Sequence, residues 1–305
     1  MQITIKNSKL KETISDGTLT FGADPEVGAY YEKDDTMYVQ PAPYFRRELG
    51  LDVQKPNSKH PIIYDKYGLR IIEDGVAFEF TVPGHRSTKK LFQDIQNCRE
   101  SLHDILSKMD HGFTIRPTLN YEIERFLTAD SAYKMALMFG CDPDNDAILP
   151  DYICNVIDAL QHPYRYFGGH FHIGCNNAIG KRLIQTHYVP FIKLLAIFVG
   201  NTVISKTSYP KLEQQRSKMY GQPGRYRLQP WGIEYRTPSN NWINSEYTLL
   251  RMAQAAKMAF TLLQNPKYGK QVIEVHLEPA IDAIVRADQE KAKQNLENLG
   301  CEYDF

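Results

Sequence analysis

Four short segments alternate apolar with ionisable residues: FGADPEV (21–27), GVAFEFTV (75–82), GGHFHIG (168–174) and GIEYRTP (232–238). Successive side chains of an extended chain point to opposite faces. Asp24 therefore shares a face with Glu26, His170 with His172, and Glu234 with Arg236. Glu79 lies opposite the face of Phe78 and Phe80. Each segment predicts a strand with one apolar face and one face that carries chemistry. Asp24 and Glu26 then have their bases about 7 Å apart. At an effective dielectric near 20 they repel by roughly 2 kcal/mol. Solvent relieves that repulsion, and so does a bound divalent cation. Pro25 lacks a ladder donor, which predicts an edge or a bulge at this point. Asp74-Gly75 predicts the turn into the strand of Glu79.

Three readings of His170 and His172 stay open on the residues alone. They are solvated positions on a half-buried strand, a metal-binding pair, or contacts to one metal and one phosphate. The flanking glycines allow close approach of backbone or ligand. A cupin-type site needs an acid shortly after the second histidine, where this chain has Cys175 and Asn176.

Between Lys206 and Arg236 there are seven basic residues (206, 211, 216, 218, 225, 227 and 236) against two acids, Glu213 and Glu234. That excess stands out in a chain with 36 basic and 36 acidic residues. It fits a polyphosphate clamp, because arginine offers forked donors to phosphate; a salt bridge beside a solvated basic loop is the simpler alternative. Overall neutrality argues against a nucleic-acid coat or a membrane-surface protein.

Helical periodicity runs from Leu91 through Ile95, Cys98, Leu102 and Leu106 to Met109, with Ser87 or Thr88 as cap. Further helices are predicted over about 181–206, with Pro190 as a kink or a fresh start, over 245–264, and over 279–299. FTIRPTL (113–119) reads as a strand. Residues 40–61, with four prolines, read as a functional flap or a partly disordered stretch. The apolar stretch 188–200 is too short to span a bilayer, carries Lys193, and predicts a core helix. Strands interleaved with widely spaced helices predict a single α+β domain over 1–305, with a motif-bearing core at 20–240 and C-terminal helices at 245–299. The five cysteines (98, 141, 154, 175, 301) form no CxxC pair, which fits free thiols in a reducing compartment. With no apolar leader at the N-terminus, a cytoplasmic location is expected. No phosphate-binding GxxxxGK[ST], no GxGxxG and no GxSxG occurs. CDPDNDAILPDYI (141–153) lacks the glycine and closing glutamate of a calcium loop.

In order, FGADPE, DGVAFEF, FGCDPD, GGHFHIG and GIEYRTPSN resemble the glutamine synthetase and glutamate–cysteine ligase superfamily. The likeness is greatest to its compact phage branch, the type 2 carboxylate–amine (COOH–NH2) ligases, or amidoligases. It covers about 20–240. The resemblance implies a curved antiparallel sheet with helices packed on its outer face. It implies ATP held by two or three Mg²⁺ or Mn²⁺ ions, phosphorylation of a substrate carboxylate, and displacement of phosphate by an amine. It implies that Asp24 and Glu26 hold different ions, that Glu79 joins Glu26, and that His170 joins Asp24 and Glu234. His172 then lies near phosphate or substrate, and Arg225, Arg227 and Arg236 grip phosphates, with Arg216 an addition. Arg236→Lys is accordingly expected to cost rate without cost to stability. Asp24 stands where longer synthetases often carry glutamate. The second acid before Glu79 is either Glu73 or Asp74.

The substrates implied are a small-molecule or peptide carboxylate and an amine, with a peptide, a cell-wall component or a nucleic-acid base as possible targets. A phage setting would make the compartment the host cytoplasm. A metal-dependent hydrolase using His170, His172, Asp24 and Glu234 is the alternative, and a catalytically inactive nucleotide-binding relative is a third. The sequence carries no signal of oligomeric state.

Overall fold

The computed structural model describes residues 19–51, 54, 60–120, 145–149 and 162–301. The N-terminal half contains β1 (Leu19–Lys33), β2 (Thr36–Val39), α1 (Ala42–Glu48), β3 (Ile62–Lys66), β4 (Leu69–Asp74), β5 (Ala77–His85) and α2 (Thr88–Leu106). Short strands follow: β6 (Gly112–Thr114), β7 (Thr118–Asn120), β8 (Asn145–Asp146) and β9 (Tyr164–Tyr166). Next come β10 (Gly169–Cys175), α3 (Ala178–Thr186), α4 (Tyr188–Leu195), α5 (Asn201–Ser205) and α6 (Pro210–Ser217). The chain closes with β11 (Arg225–Gln229), β12 (Gly232–Tyr235), α7 (Glu246–Leu263), α8 (Pro266–Arg286) and α9 (Gln289–Asn298).

The fold is α+β. Its main sheet has the order β3-β4-β5-β1-β10-β12-β11-β8, and these neighbours are all antiparallel. The alternation in the sequence sets the two faces. Phe21, Ala23, Val27, Phe78, Phe80, Phe171, Ile173 and Ile233 are buried on one side. There Phe21 stacks on Phe171 across the β1–β10 ladder, with ring centroids 5.5 Å apart. Helix α2 packs on β5, α3 and α4 pack on β12, and α7 packs on α2 and α4. The opposite face, with Asp24, Glu26, Glu79, His170, His172 and Glu234, is left for the site.

The strand-like runs FGADPEV and EVGAYY (26–31) lie on one continuous strand, β1. Residues 19–25 of β1 pair with β10, and residues 28–33 pair with β2 and β6. Pro25 thus sits in a central strand, against the edge expected for it. It is the last residue paired with β10, and on the other side it falls between the Ala23–Val82 and Glu26–Glu79 pairs, where no ladder bond is lost. The bulge lies on β5, where the register shifts between these strands.

Other elements also depart from expectation. FTIRPTL is broken into β6 and β7, with Pro117 in the gap. The proline-rich stretch after residue 40 contains α1, which starts just after Pro41. Pro190 lies in the first turn of α4, so it starts a fresh helix after a break at His187. That helix continues through a π-helical turn (Ala196–Gly200) into α5. The resulting 18-residue run, Tyr188–Ser205, is long and apolar enough to cross a membrane, which the shorter sequence window missed, but it is mostly buried in the core. The predicted helix 279–299 is two helices. Pro279 lies inside α8, its carbonyl accepts from Asn295 Nδ2 (3.0 Å), and Ala287, with φ +51°, breaks α8 from α9. Cys98, Cys175 and Cys301 are buried free thiols. Cys141, Cys154 and the FGCDPD segment lie outside the described residues.

Candidate metal centre

Strand register brings the ionisable residues into a row. Asp24 on β1 faces His170 on β10, His172 faces Glu234 on β12, and Glu234 faces Arg227 on β11. On the other side of β1, Glu26 faces Glu79 on β5. Directly opposed side chains have bases about 5 Å apart. Among the described residues, two groups with metal-ligand spacing result. Asp24, His172 and Glu234 each offer one atom within 4.8 Å of the others, and so do Glu26, Asp74 and Glu79.

The first group is compensated. Asp24 Oδ1 lies 3.2 Å from His170 Nδ1 and 3.1 Å from His172 Nε2. Burial pushes the Asp24 carboxyl up, but the two imidazoles outweigh it and hold the group well below the usual carboxylate range. Burial pushes His172 down, yet Asp24 outweighs that and raises it. Glu234 is buried, contacts Arg236 and accepts from Gln229 Nε2 at 3.2 Å. Burial and Asp24 raise its carboxyl, and His170 with Arg236 bring it below its ordinary value.

The second group is less balanced, with His60 Nδ1 3.3 Å from Asp74 Oδ1 as its direct basic contact. Burial pushes Glu79 well above the carboxylate range, and Asp24, Asp74, Glu26 and Glu234 push it further. Glu26 is also raised by burial, with His170 working against the rise and Asp74 adding to it. Its Oε2 accepts from Gly168 N–H at 2.7 Å. Gly168 is required there, because a Cβ at that position would overlap His170 Nε2. The choice between the acids before Glu79 is resolved geometrically: Glu73 faces Arg46 (3.4 Å), while Asp74 joins Glu26 and Glu79.

Asp24 Oδ1, His172 Nε2 and Asp74 Oδ1 are buried with ion-pair contacts but without a well-aligned hydrogen bond. Buried polar atoms left this way cost about 1–3 kcal/mol each. A divalent cation satisfies such atoms, so the residues fit one.

Both histidines adjoin Asp24 and Glu234, and His170 does so as the resemblance implied, with Nδ1 3.2 Å from Asp24 Oδ1 and 3.5 Å from Glu234 Oε1. His172 shares ligand spacing with Asp24 and Glu234. His170 is fully buried, and both its ring nitrogens are engaged: Nε2 lies 2.9 Å from the Tyr220 hydroxyl, and Nδ1 lies 3.3 Å from Arg236 Nη1 and 3.5 Å from Glu234 Oε1.

The arginines divide in a way the sequence did not show. Arg216 is buried, and its guanidinium donates to the carbonyls of Phe167 (3.0 Å), Thr237 (2.8 Å) and Pro238 (3.2 Å). Arg225 is buried, donates to Gln222 Oε1 (2.9 Å) and lies 3.6 Å from Asp146. Arg236 is buried against Glu234, His170 and Tyr220. Arg227 differs: its side chain is 36% exposed and only touches Glu234, at 3.5 Å. The expected four-arginine clamp thus reduces to one accessible guanidinium, because the others hold the fold together.

Three neighbours escaped the sequence reading. Tyr220 contacts Glu26 and His170, Gln229 bonds Glu234, and Trp231 packs against His172 with ring centroids 5.0 Å apart. Gln229 had a legible signal, since it lies two residues after Arg227 on the same strand. Tyr220 had none, because its position depends on the turn after α6.

No family model matches the chain, and no curated protein matches it.

Proposed function

We propose that the chain is an ATP- and Mg²⁺-dependent (or Mn²⁺-dependent) ligase that joins a carboxylate to an amine through an acyl phosphate, on a glutamine synthetase-like sheet. The observation that carries the reading is the pair of adjacent carboxylate groups on one sheet face, one of them the less balanced in charge. Asp24, His172 and Glu234 would hold one cation, and Glu26, Asp74 and Glu79 another. Oxygen-rich donor sets with no thiolate suit Mg²⁺ or Mn²⁺. When bound, such cations neutralise charge on a polyphosphate. His170 acts from behind as a positioning residue, which exchanges the histidine roles that the resemblance implied. Arg227 orients a phosphate from the open side. Trp231 and His172 wall the site.

A metal-dependent hydrolase is the second reading. It gains from the burial of Arg216, Arg225 and Arg236, which leaves a single accessible arginine for phosphate. One experiment separates the two. The protein is incubated with ATP, Mg²⁺ and panels of carboxylates and amines, and products are read by mass spectrometry. ADP formed together with an amide supports the ligase. Cleavage of an amide or ester without ATP supports the hydrolase and overturns the ligase.

A further inference from the structure

The hydroxyl of Tyr220 lies between the two carboxylate groups. It is 2.9 Å from His170 Nε2 and 3.4 Å from Glu26 Oε1, and it accepts from Arg236 Nη2 at 3.2 Å. His170 and Arg236 touch the Asp24 and Glu234 side, whereas Glu26 belongs to the other group. The ring is held in place. Arg216 lies over it at 4.8 Å, and the Tyr220 N–H donates to the Arg216 carbonyl at 2.8 Å. The next residue, Gly221, adopts φ +71°, and a Cβ there would overlap the Arg216 guanidinium. The stretch from Arg216 to Gly221 therefore fixes one phenol at one point.

Resting on the two-cation reading above, we infer that Tyr220 is a positioning residue that links the two cation sites, so that filling one changes the affinity of the other. The reason is the arithmetic of a phenol. It has one proton: Arg236 Nη2 donates to its oxygen, Arg236 Nη1 meets His170 Nδ1 at 3.3 Å so that His170 Nε2 donates to the same oxygen, and the phenol donates to Glu26 Oε1. When Glu26 turns its lone pairs to a cation, its bond from Tyr220 is lost and the hydroxyl shifts against His170 and Arg236. His170 and Arg236 are the side chains that face Asp24 Oδ1 and Glu234 Oε1. Both carboxylates of the first group are thereby oriented by an event at the second. Such a link works equally in both directions.

The test is Mn²⁺ binding to the full chain, followed by electron paramagnetic resonance of free Mn²⁺ and by calorimetry. Wild type is expected to bind two ions with linked affinities. Tyr220→Phe keeps the ring over Arg216 and removes only the hydroxyl. It is expected to keep two sites, lose the linkage and weaken the second ion about tenfold. Tyr235→Phe is the control. Its buried hydroxyl donates to the Pro223 carbonyl at 3.2 Å, and removing it should leave the isotherm unchanged. In a double-mutant cycle, Glu26→Gln should alter affinity at the first group in wild type and not in Tyr220→Phe. If wild type binds no Mn²⁺, the metal reading itself fails and this inference with it. If it binds a single ion, the two-cation reading fails and this inference with it; if the Tyr220→Phe isotherm superimposes on that of wild type, or if both tyrosine variants shift alike, the linkage alone is overturned.

Discussion

Glu26 and Glu79 face one another across the β1–β5 ladder, and Asp74 completes a group of three carboxylates beside them. Nothing in that group except its own protons relieves the repulsion felt by Glu79. The arrangement is costly to the folded chain unless a cation is present.

Glu79→Gln removes one of the three charges. Without divalent cation the variant is expected to melt about 2 °C higher than wild type at pH 8, an increment near 1 kcal/mol for a chain of this size. Mn²⁺ affinity should fall at least roughly tenfold. Calorimetric melts with EDTA and with Mn²⁺ test both halves, and an unchanged Mn²⁺ affinity would remove Glu79 from the site.

The raised groups give stability a pH dependence. Burial pushes Glu73 up to about 7 from 4.5, despite Arg46 beside it; Glu79 is raised further by its neighbours, and Asp24 raises His172. The folded chain holds these protons more tightly than the unfolded chain. The stabilisation from Glu73 is complete below about pH 4.5 and gone above about pH 7. Cation-free protein should therefore melt at lower temperature as pH rises from roughly 5 to 8. Cation binding should tighten over the same range, since ligands must lose protons to bind. A melting temperature that climbs in EDTA would contradict this.

Arg236→Lys tests the corrected role of that arginine. A lysine keeps the charge but cannot serve Glu234, His170 and Tyr220 together. The loss is expected to be roughly 2–4 kcal/mol of stability, because buried partners are left unserved. A denaturant titration decides the matter: rate loss with an unshifted midpoint would restore the role in charge transfer that the resemblance implied.

Arg227→Ala should behave in the opposite manner. The side chain is partly exposed, so stability should stay within about 0.5 kcal/mol of wild type. ATP affinity in the presence of Mg²⁺ should fall. Equal ATP affinity in variant and wild type would leave the site without a phosphate contact and strengthen the hydrolase reading.

Much of the sheet was legible because period-two alternation is a local property. It placed Asp24 with Glu26, His170 with His172, and Glu79 opposite its phenylalanines. Register was not legible. Whether His170 or His172 completes a group with Asp24 and Glu234 depends on how β10 aligns with both neighbours, and no single segment encodes that. The arginines were misjudged for a similar reason. Charge counts suggested a solvated clamp, yet Arg216 is consumed by three carbonyls from the loops before β10 and after β12. The division of 279–299 into two helices turned on Ala287 in a left-handed conformation, which alanine does not advertise. Its start was misplaced as well, because Pro279 is accommodated inside α8.

Strand β1 has one more consequence, for the order in which the chain comes together. Its β5 side is made by nearby sequence, but its β10 side waits for residues far downstream: the bond from Gly168 to Glu26 spans 142 positions. Contacts of such separation close late. A growing or truncated chain that ends before β10 presents β1 as a bare sheet edge, with Asp24 and Glu26 exposed and no histidine opposite them. That edge is a template for pairing with other chains. On the proposed reading, cation capture by the Asp24 group would belong to the finished polypeptide, and added Mn²⁺ should protect the full chain from proteolysis without protecting an N-terminal fragment.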